Sequence, residues 1–216
     1  MRSNLSEVGV PPLFGGPGLF ARRIRGGSRI WNSDRFGVRR VEVGLDLEPF
    51  ETARQSRLNW CWAACIQGAF ATRGYRVRQE RIVRKIRGAL IDSGAVGPEI
   101  VAAINGLWTG ELSARFQAAA HVLWDCATHV EREDAIPIAA AELSRGNSLI
   151  FGLDGHAVLL TAMAYEIWPD GGWALDTLTV RDPWPGVPNR RVLRGESALV
   201  SEFLCSVHTS RAPLSY

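Results

Sequence analysis

"HAVLLTAMAYEIWPDGGWALDTLTVRDPWPG", residues 156–186, is the stretch that decides the architecture. Residues 156–168 and 173–182 are rich in the β-branched and aromatic residues that favour strands. Between them, "PDGG" at 169–172 is a strong hairpin turn. Folding the two strands antiparallel across that turn brings the start of the first against the end of the second. His156 opens the first strand and Asp182 closes the second, so the register alone sets an imidazole beside a carboxylate.

Working outward, "SLIFGL" (148–153) and "LCSVHTS" (204–210) read as further strands. Toward the N-terminus the period changes. "CWAACIQGAFATRG" carries apolar residues at 61, 62, 65, 66, 69 and 70 and stops at Gly74, the pattern of a helix with a glycine end. "RQERIVRKIRGAL" (78–90), "VGPEIVAAINGL" (96–107), with Pro98 in its first turn, and "AIPIAAAELSRG" (135–146) read as three more helices. The stretch 111–130 fits neither period. Helices first and an antiparallel sheet later make an α+β fold, not the βαβ alternation of a doubly wound one. No internal repeat is evident.

Residues 1–47 are expected to form a flexible N-terminal arm, with the domain proper over 48–216. The arm combines "VPPLFGGPG" and "ARRIRGG" with little periodicity, although "VRRVEVGLDLEPF" (38–50) alternates like a short strand leading in. The 216 residues suffice for one core, and no stretch approaches the ~20 apolar residues of a membrane span. A formal charge of +3, carried by arginine with Lys85 the one lysine, is too small to argue for a nucleic-acid groove. Neither membrane nor nucleic acid is therefore expected as a partner. The N-terminus has no clean secretory pattern. Four cysteines in a chain of this size point to reduced thiols in a cytoplasmic setting, or to export without a cleaved signal.

Two of those cysteines, Cys61 and Cys65, stand one helical turn apart in "RQSRLNWCWAAC" (54–65). A cysteine nucleophile must be a thiolate near neutral pH, and a helix N-terminus or a neighbouring imidazolium lowers the thiol pKa. It needs a histidine to share the proton, an acceptor to fix that histidine's tautomer, and donors aimed at the oxyanion. Cys61 begins the helical pattern, His156 and Asp182 meet through the hairpin, and the Gln55 amide lies six residues upstream as an oxyanion donor. Singly each has an ordinary explanation: a core cysteine, a strand-end histidine, an Asp-Pro turn, a loop glutamine. The strand geometry that joins two of them makes the constellation the better reading. Cys65, one turn deeper, reads as structural.

On "QSRLNWCWAAC", "GHAVLLTAMAY" and "VRDPWPG" the chain resembles the papain-like cysteine peptidases. The compact branch of bacteriocin-processing double-glycine peptidases and bacterial effector cysteine proteases is the nearest in pattern. The resemblance implies a helical half bearing Cys61 as nucleophile and a β-sheet bearing His156 as general base and acid and Asp182 as orienter, with Gln55 as oxyanion donor and no cofactor. It places Trp60, Trp62, Gly155 and Trp184 along the substrate groove, Trp184 shielding the His–Asp hydrogen bond. Trp60 stands where larger relatives carry a small residue, Asp182 where many carry Asn. The implied reaction is hydrolysis of a peptide or isopeptide bond in a protein or peptide substrate through a Cys61 thioester. Gly26–Gly27 in "RRIRGGS" is a candidate self-processing site, which would make the arm a pro-segment and a substrate, or the arm lies in the groove as an autoinhibitor; a plain hinge is the alternative. An acyl transferase and a non-catalytic binding domain are the competing functions. His121, Cys126 and His129 fall within nine residues, but no second ligand pair makes them a zinc site, and no glycine pair has the spacing or lysine of a phosphate loop.

Overall fold

The computed structural model describes residues 26–32, 37–45, 53–129, 135–198 and 201–212. In chain order the elements are β1 (Gly26–Asn32), β2 (Arg39–Leu45), α1 (Cys61–Thr72), α2 (Gln79–Arg87), α3 (Gly97–Ile104), β3 (Gly106–Thr109), β4 (Arg115–Asp125), α4 (Ala135–Ser144), β5 (Leu149–Leu153), β6 (His156–Ile167), β7 (Trp173–Arg181), β8 (Arg190–Arg194) and β9 (Ser201–Arg211). The fold is α+β. Among the described residues nine strands form one sheet, in the order β1-β2-β6-β5-β9-β4-β3, with β7 on β6 and β8 on β7.

Strand β6 is the hub. Along one edge, residues 156–160 pair with β5 and residues 162–167 pair with β2. The other edge, from Leu159 to Ile167, takes β7. A strand paired on both edges and covered on both faces needs a near-continuous apolar run, which "HAVLLTAMA" supplies; all of residues 157–161 are buried.

Alternation along the strands divides the core in two. Ile150, Ala157, Leu159, Cys205 and Val207 face α1, α2 and α3. Their neighbours Leu149, Phe151, Val158, Leu160 and Leu204 face α4. Helix α1 is apolar on every side, and only Gln67 and Ala71 escape burial, as expected of a helix enclosed by other elements. Helix α2 is amphipathic, turns Ile82 and Val83 inward, and ends at Gly88 in the left-handed region (φ 69°), whose N–H donates to the Arg84 carbonyl at 2.9 Å.

Several elements differ from the sequence expectation. The ambiguous stretch becomes β4, despite its alanines, because it pairs with β9 over its whole length and with β3 at its start. Strand β3 has four residues, too few for a period, and β8 ("RRVLR") is a charged edge strand, exposed at every position but Leu193. Within the segment expected as an arm, β2 pairs with β6 and β1 pairs with β2, so residues 26–32 and 39–45 extend the sheet. Gly26 and Gly27 sit on its outermost rungs, opposite Leu45 and Gly44. Residues 1–25 and 46–52 lie outside the described ones. No helix among the described residues is long and apolar enough to cross a membrane.

Candidate active site

The β6–β7 ladder holds the predicted register, by an unpredicted route. It slips by one residue between Ala164 and Tyr165 and again between Leu160 and Ala162. The first irregularity leaves Asp176 as the extra residue on β7, the second leaves Thr161 as the extra residue on β6. The two bulges cancel, so Leu159 opposite Arg181 belongs to the same register as Ile167 opposite Trp173. The end of β7 therefore stays beside the start of β6, and His156 Nε2 lies 2.9 Å from Asp182 Oδ1.

His156 follows a two-residue turn in which Asp154 (φ 50°) and Gly155 (φ 71°) both have positive φ. This type of turn suits the twist of the β5–β6 hairpin and favours Asp-Gly. Gly155 is therefore a turn former that fixes where the imidazole begins. Asp182 is 1% exposed, and its Oδ1 also accepts the Trp184 N–H at 2.9 Å. Its Oδ2 accepts from Arg191. Its own backbone is held by Asn189, whose carbonyl accepts the Asp182 N–H at 2.7 Å.

Helix α1 begins at Cys61, so the Cys61 N–H is one of the first-turn donors with no partner inside the helix. The thiol is buried, and burial alone would raise its pKa. Hydrogen bonds with the His156 ring and the backbone N–H of Ala157 and Trp62, together with the imidazolium charge, outweigh burial and lower it. The hydrogen bond to Asp182, then that to Cys61, raise the His156 pKa to about 9 against the opposing effect of burial. Asp182 is lowered to about 2, the bonds to His156, Trp184 and Arg191 overcoming its desolvation. The three groups favour a thiolate–imidazolium–carboxylate row. Cys65 behaves oppositely: burial, then the nearby Cys61, push its thiol well up, and burial pushes Cys205 up to about 12.

The segment before α1 is tied to the segment after β7. Gln55 N–H donates to the Pro183 carbonyl at 2.9 Å. Arg54 Nη1 donates to the carbonyls of Asp182 (3.3 Å), Trp184 (2.6 Å) and Val187 (2.8 Å). The Gln55 side chain departs from the expected role: its Nε2 donates to Arg57 O at 2.9 Å and Leu58 O at 2.6 Å, using both amide protons to brace the turn into α1. Its buried Oε1 has no hydrogen-bond partner among the described residues. The Cys61 N–H, with no partner inside the helix, is a donor beside the thiol.

Trp60 and Trp62 were expected along the groove, and this is corrected. Both are 1% exposed, with indole N–H groups donating to Ile91 O (2.9 Å) and Ser93 O (3.1 Å). They anchor the 88–96 loop to the helix start. Trp184 is 39% exposed, directly after the site's Asp-Pro. His121 stacks on His208 with ring centroids 4.2 Å apart, while the Cys126 thiol donates to Ser201 O. Arg54, Arg191 and Asn189 were not legible as site residues. Each acts through a carbonyl or carboxylate brought close by the fold, and no spacing marks them. No family model and no curated protein matches the chain.

Proposed function

We propose that this protein is a papain-like cysteine peptidase, with Cys61 as nucleophile, His156 as proton carrier and Asp182 as orienter. The observation that carries the reading is the Cys61–His156–Asp182 row at the start of α1, in which thiol and carboxylate both hydrogen-bond the His156 ring. In the reaction, the Cys61 thiolate attacks the substrate carbonyl carbon and a C–S bond forms. The Cys61 N–H faces the developing oxyanion. The C–N bond breaks as His156 gives its proton to the leaving amine. Water then loses a proton to His156 and attacks the thioester; a C–O bond forms, the C–S bond breaks and the thiolate returns. Gln55 supports the loop that presents the Cys61 N–H.

Incubation with a peptide library, with new termini read by mass spectrometry, tests this. Cleavage products that appear with the wild-type protein and disappear with Cys61→Ala are expected. Identical digests from the two would overturn the proposal. The same spectra report on Gly26–Gly27: a fragment ending at Gly27, absent from Cys61→Ala, would make the chain its own substrate.

A further inference from the structure

The Asp182 carboxylate is held from two sides, and the second side has no part in the reaction above. Oδ1 faces His156 and the Trp184 N–H, while Oδ2 faces the Arg191 guanidinium. Arg191 comes from β8, where it pairs with Val180 of β7. Asp182 is two residues beyond Val180, just past the end of β7, so the start of β8 lies alongside it. Asp182 is 1% exposed on its side chain, whereas that of Arg191 is 41% exposed. The carboxylate is therefore enclosed and the cation reaches in from solvent.

We infer that Arg191 is a positioning residue of the Cys61 site: it fixes the Asp182 carboxylate from the side opposite His156 and balances its charge. Thiolate, imidazolium, carboxylate and guanidinium then form a row of alternating sign. This rests on the peptidase reading of the same residues. Without Arg191, the active ion pair plus Asp182 would leave one uncompensated negative charge in an enclosed site, which is costly. With it the row is neutral. The bidentate geometry of Arg is not required for that role, but a cation is.

The charged and titratable groups around Asp182 come from four directions. They are His156 on β6, Arg191 on β8, Cys61 and Cys65 on α1, and Arg54 on the preceding segment, whose guanidinium sits on the Asp182 carbonyl. Arg181 precedes it in the chain. Removing Arg191 takes away a cation, so every nearby proton becomes harder to lose and the Cys61 thiolate forms at higher pH.

Alkylation of the full-length protein by iodoacetamide, mapped per cysteine across pH, tests this. In Arg191→Gln the Cys61 inflection moves up by about 0.5–1 pH unit, less than the ~1–3 of a direct charge contact because the cation is half in water. In Arg191→Lys it stays at the wild-type position. Exposed Cys126 is the reference for reagent reactivity, and buried Cys65 and Cys205 report folding, since they label only if the chain opens. A folded Arg191→Gln whose Cys61 inflection coincides with wild type overturns the inference and leaves Arg191 a structural residue. Should that variant open, Arg191→Lys decides: an unmoved inflection supports charge balance, and one displaced upward despite the retained charge contradicts it. A wild-type Cys61 that labels only in the free-thiol range would overturn the peptidase reading itself, a separate outcome.

Discussion

Two histidines of this protein hold a buried carboxylate, and they sit in opposite kinds of surroundings. His156 contacts Asp182 at 2.9 Å, and His208 contacts Glu142 at 3.0 Å. Both carboxylates are lowered to about 2. At His156 the ring bonds both the Asp182 carboxylate and the Cys61 thiol at a helix start. At His208 the partners are Ser206 Oγ, 2.9 Å away, and Glu142 Oε2, both on Nε2. Glu142 also accepts from Asn147 at 2.7 Å and Arg145 at 3.0 Å, and the His208 ring stacks on His121. Ser206 is mid-strand, away from any helix start. The same residue types thus make a relay in one place and a polar clamp between α4 and β9 in the other. The other partner of the ring, a thiol at a helix start or a mid-strand hydroxyl, decides between them, more than the depth of the carboxylate pKa.

The largest expected effect follows from that contrast. If the proposed peptidase reading holds, His156→Ala lowers peptide turnover by about 10²- to 10⁴-fold, the range for loss of a general acid–base, while His208→Ala leaves turnover of the folded protein near wild type. Equal losses in the two variants, measured as kcat per titrated active site, would erase the distinction.

Next in size is the clamp itself. Glu142→Gln is expected to destabilise the fold by about 1–3 kcal/mol, the range for a disrupted buried hydrogen-bond group, with the Cys61 labelling profile unchanged. The pH dependence has a definite sign. The folded pKa of Glu142 lies below the ordinary carboxylate value of 4.5, at about 2. Its contribution is therefore fully present above the unfolded value and lost as pH falls toward about 2. Denaturant midpoints of wild type and variant should converge in that acid window and stay apart near neutrality; parallel curves throughout would mean that Glu142 is not ionised in the fold.

A smaller effect belongs to the turn that starts β6. Gly155 has φ 71°, and no atom lies within 4 Å of the place a Cβ would occupy, so Gly155→Ala meets only backbone strain, about 1–2 kcal/mol. A lowered melting temperature with only a modest fall in turnover is expected. A variant as stable as wild type would contradict the turn's assigned part in placing His156.

How much of this was legible in the chain depended on whether a local pattern or a distant partner fixed the residue. Helix α1, the 169–172 turn and the pairing of His156 with Asp182 follow from period and turn chemistry. Strand β4 did not, because "RFQAAAHVLWD" has helix-forming alanines and becomes a strand only beside β9. Trp60 and Trp62 read as groove residues because tryptophan beside a nucleophile suggests one; the carbonyls of Ile91 and Ser93 that bury them are some thirty positions away. Gln55 stands at the expected distance from Cys61, yet its amide protons are claimed by Arg57 and Leu58. Arg191 carries no signal at all in "RRVLR", where only pairing with β7 turns one arginine of three toward Asp182. Even the hairpin register, read as uninterrupted, survives only because two bulges cancel.

The central claim is that Cys61 and His156 form a reactive ion pair, and the pH dependence of Cys61 alkylation in wild type and His156→Ala tests it most directly. Rapid labelling that persists well below pH 7, in the range where a lone thiol of pKa about 8.5 is protonated, and that is lost in the variant, is the predicted result. Labelling that rises only at about pH 8–9 in both proteins, the free-thiol range, would contradict it.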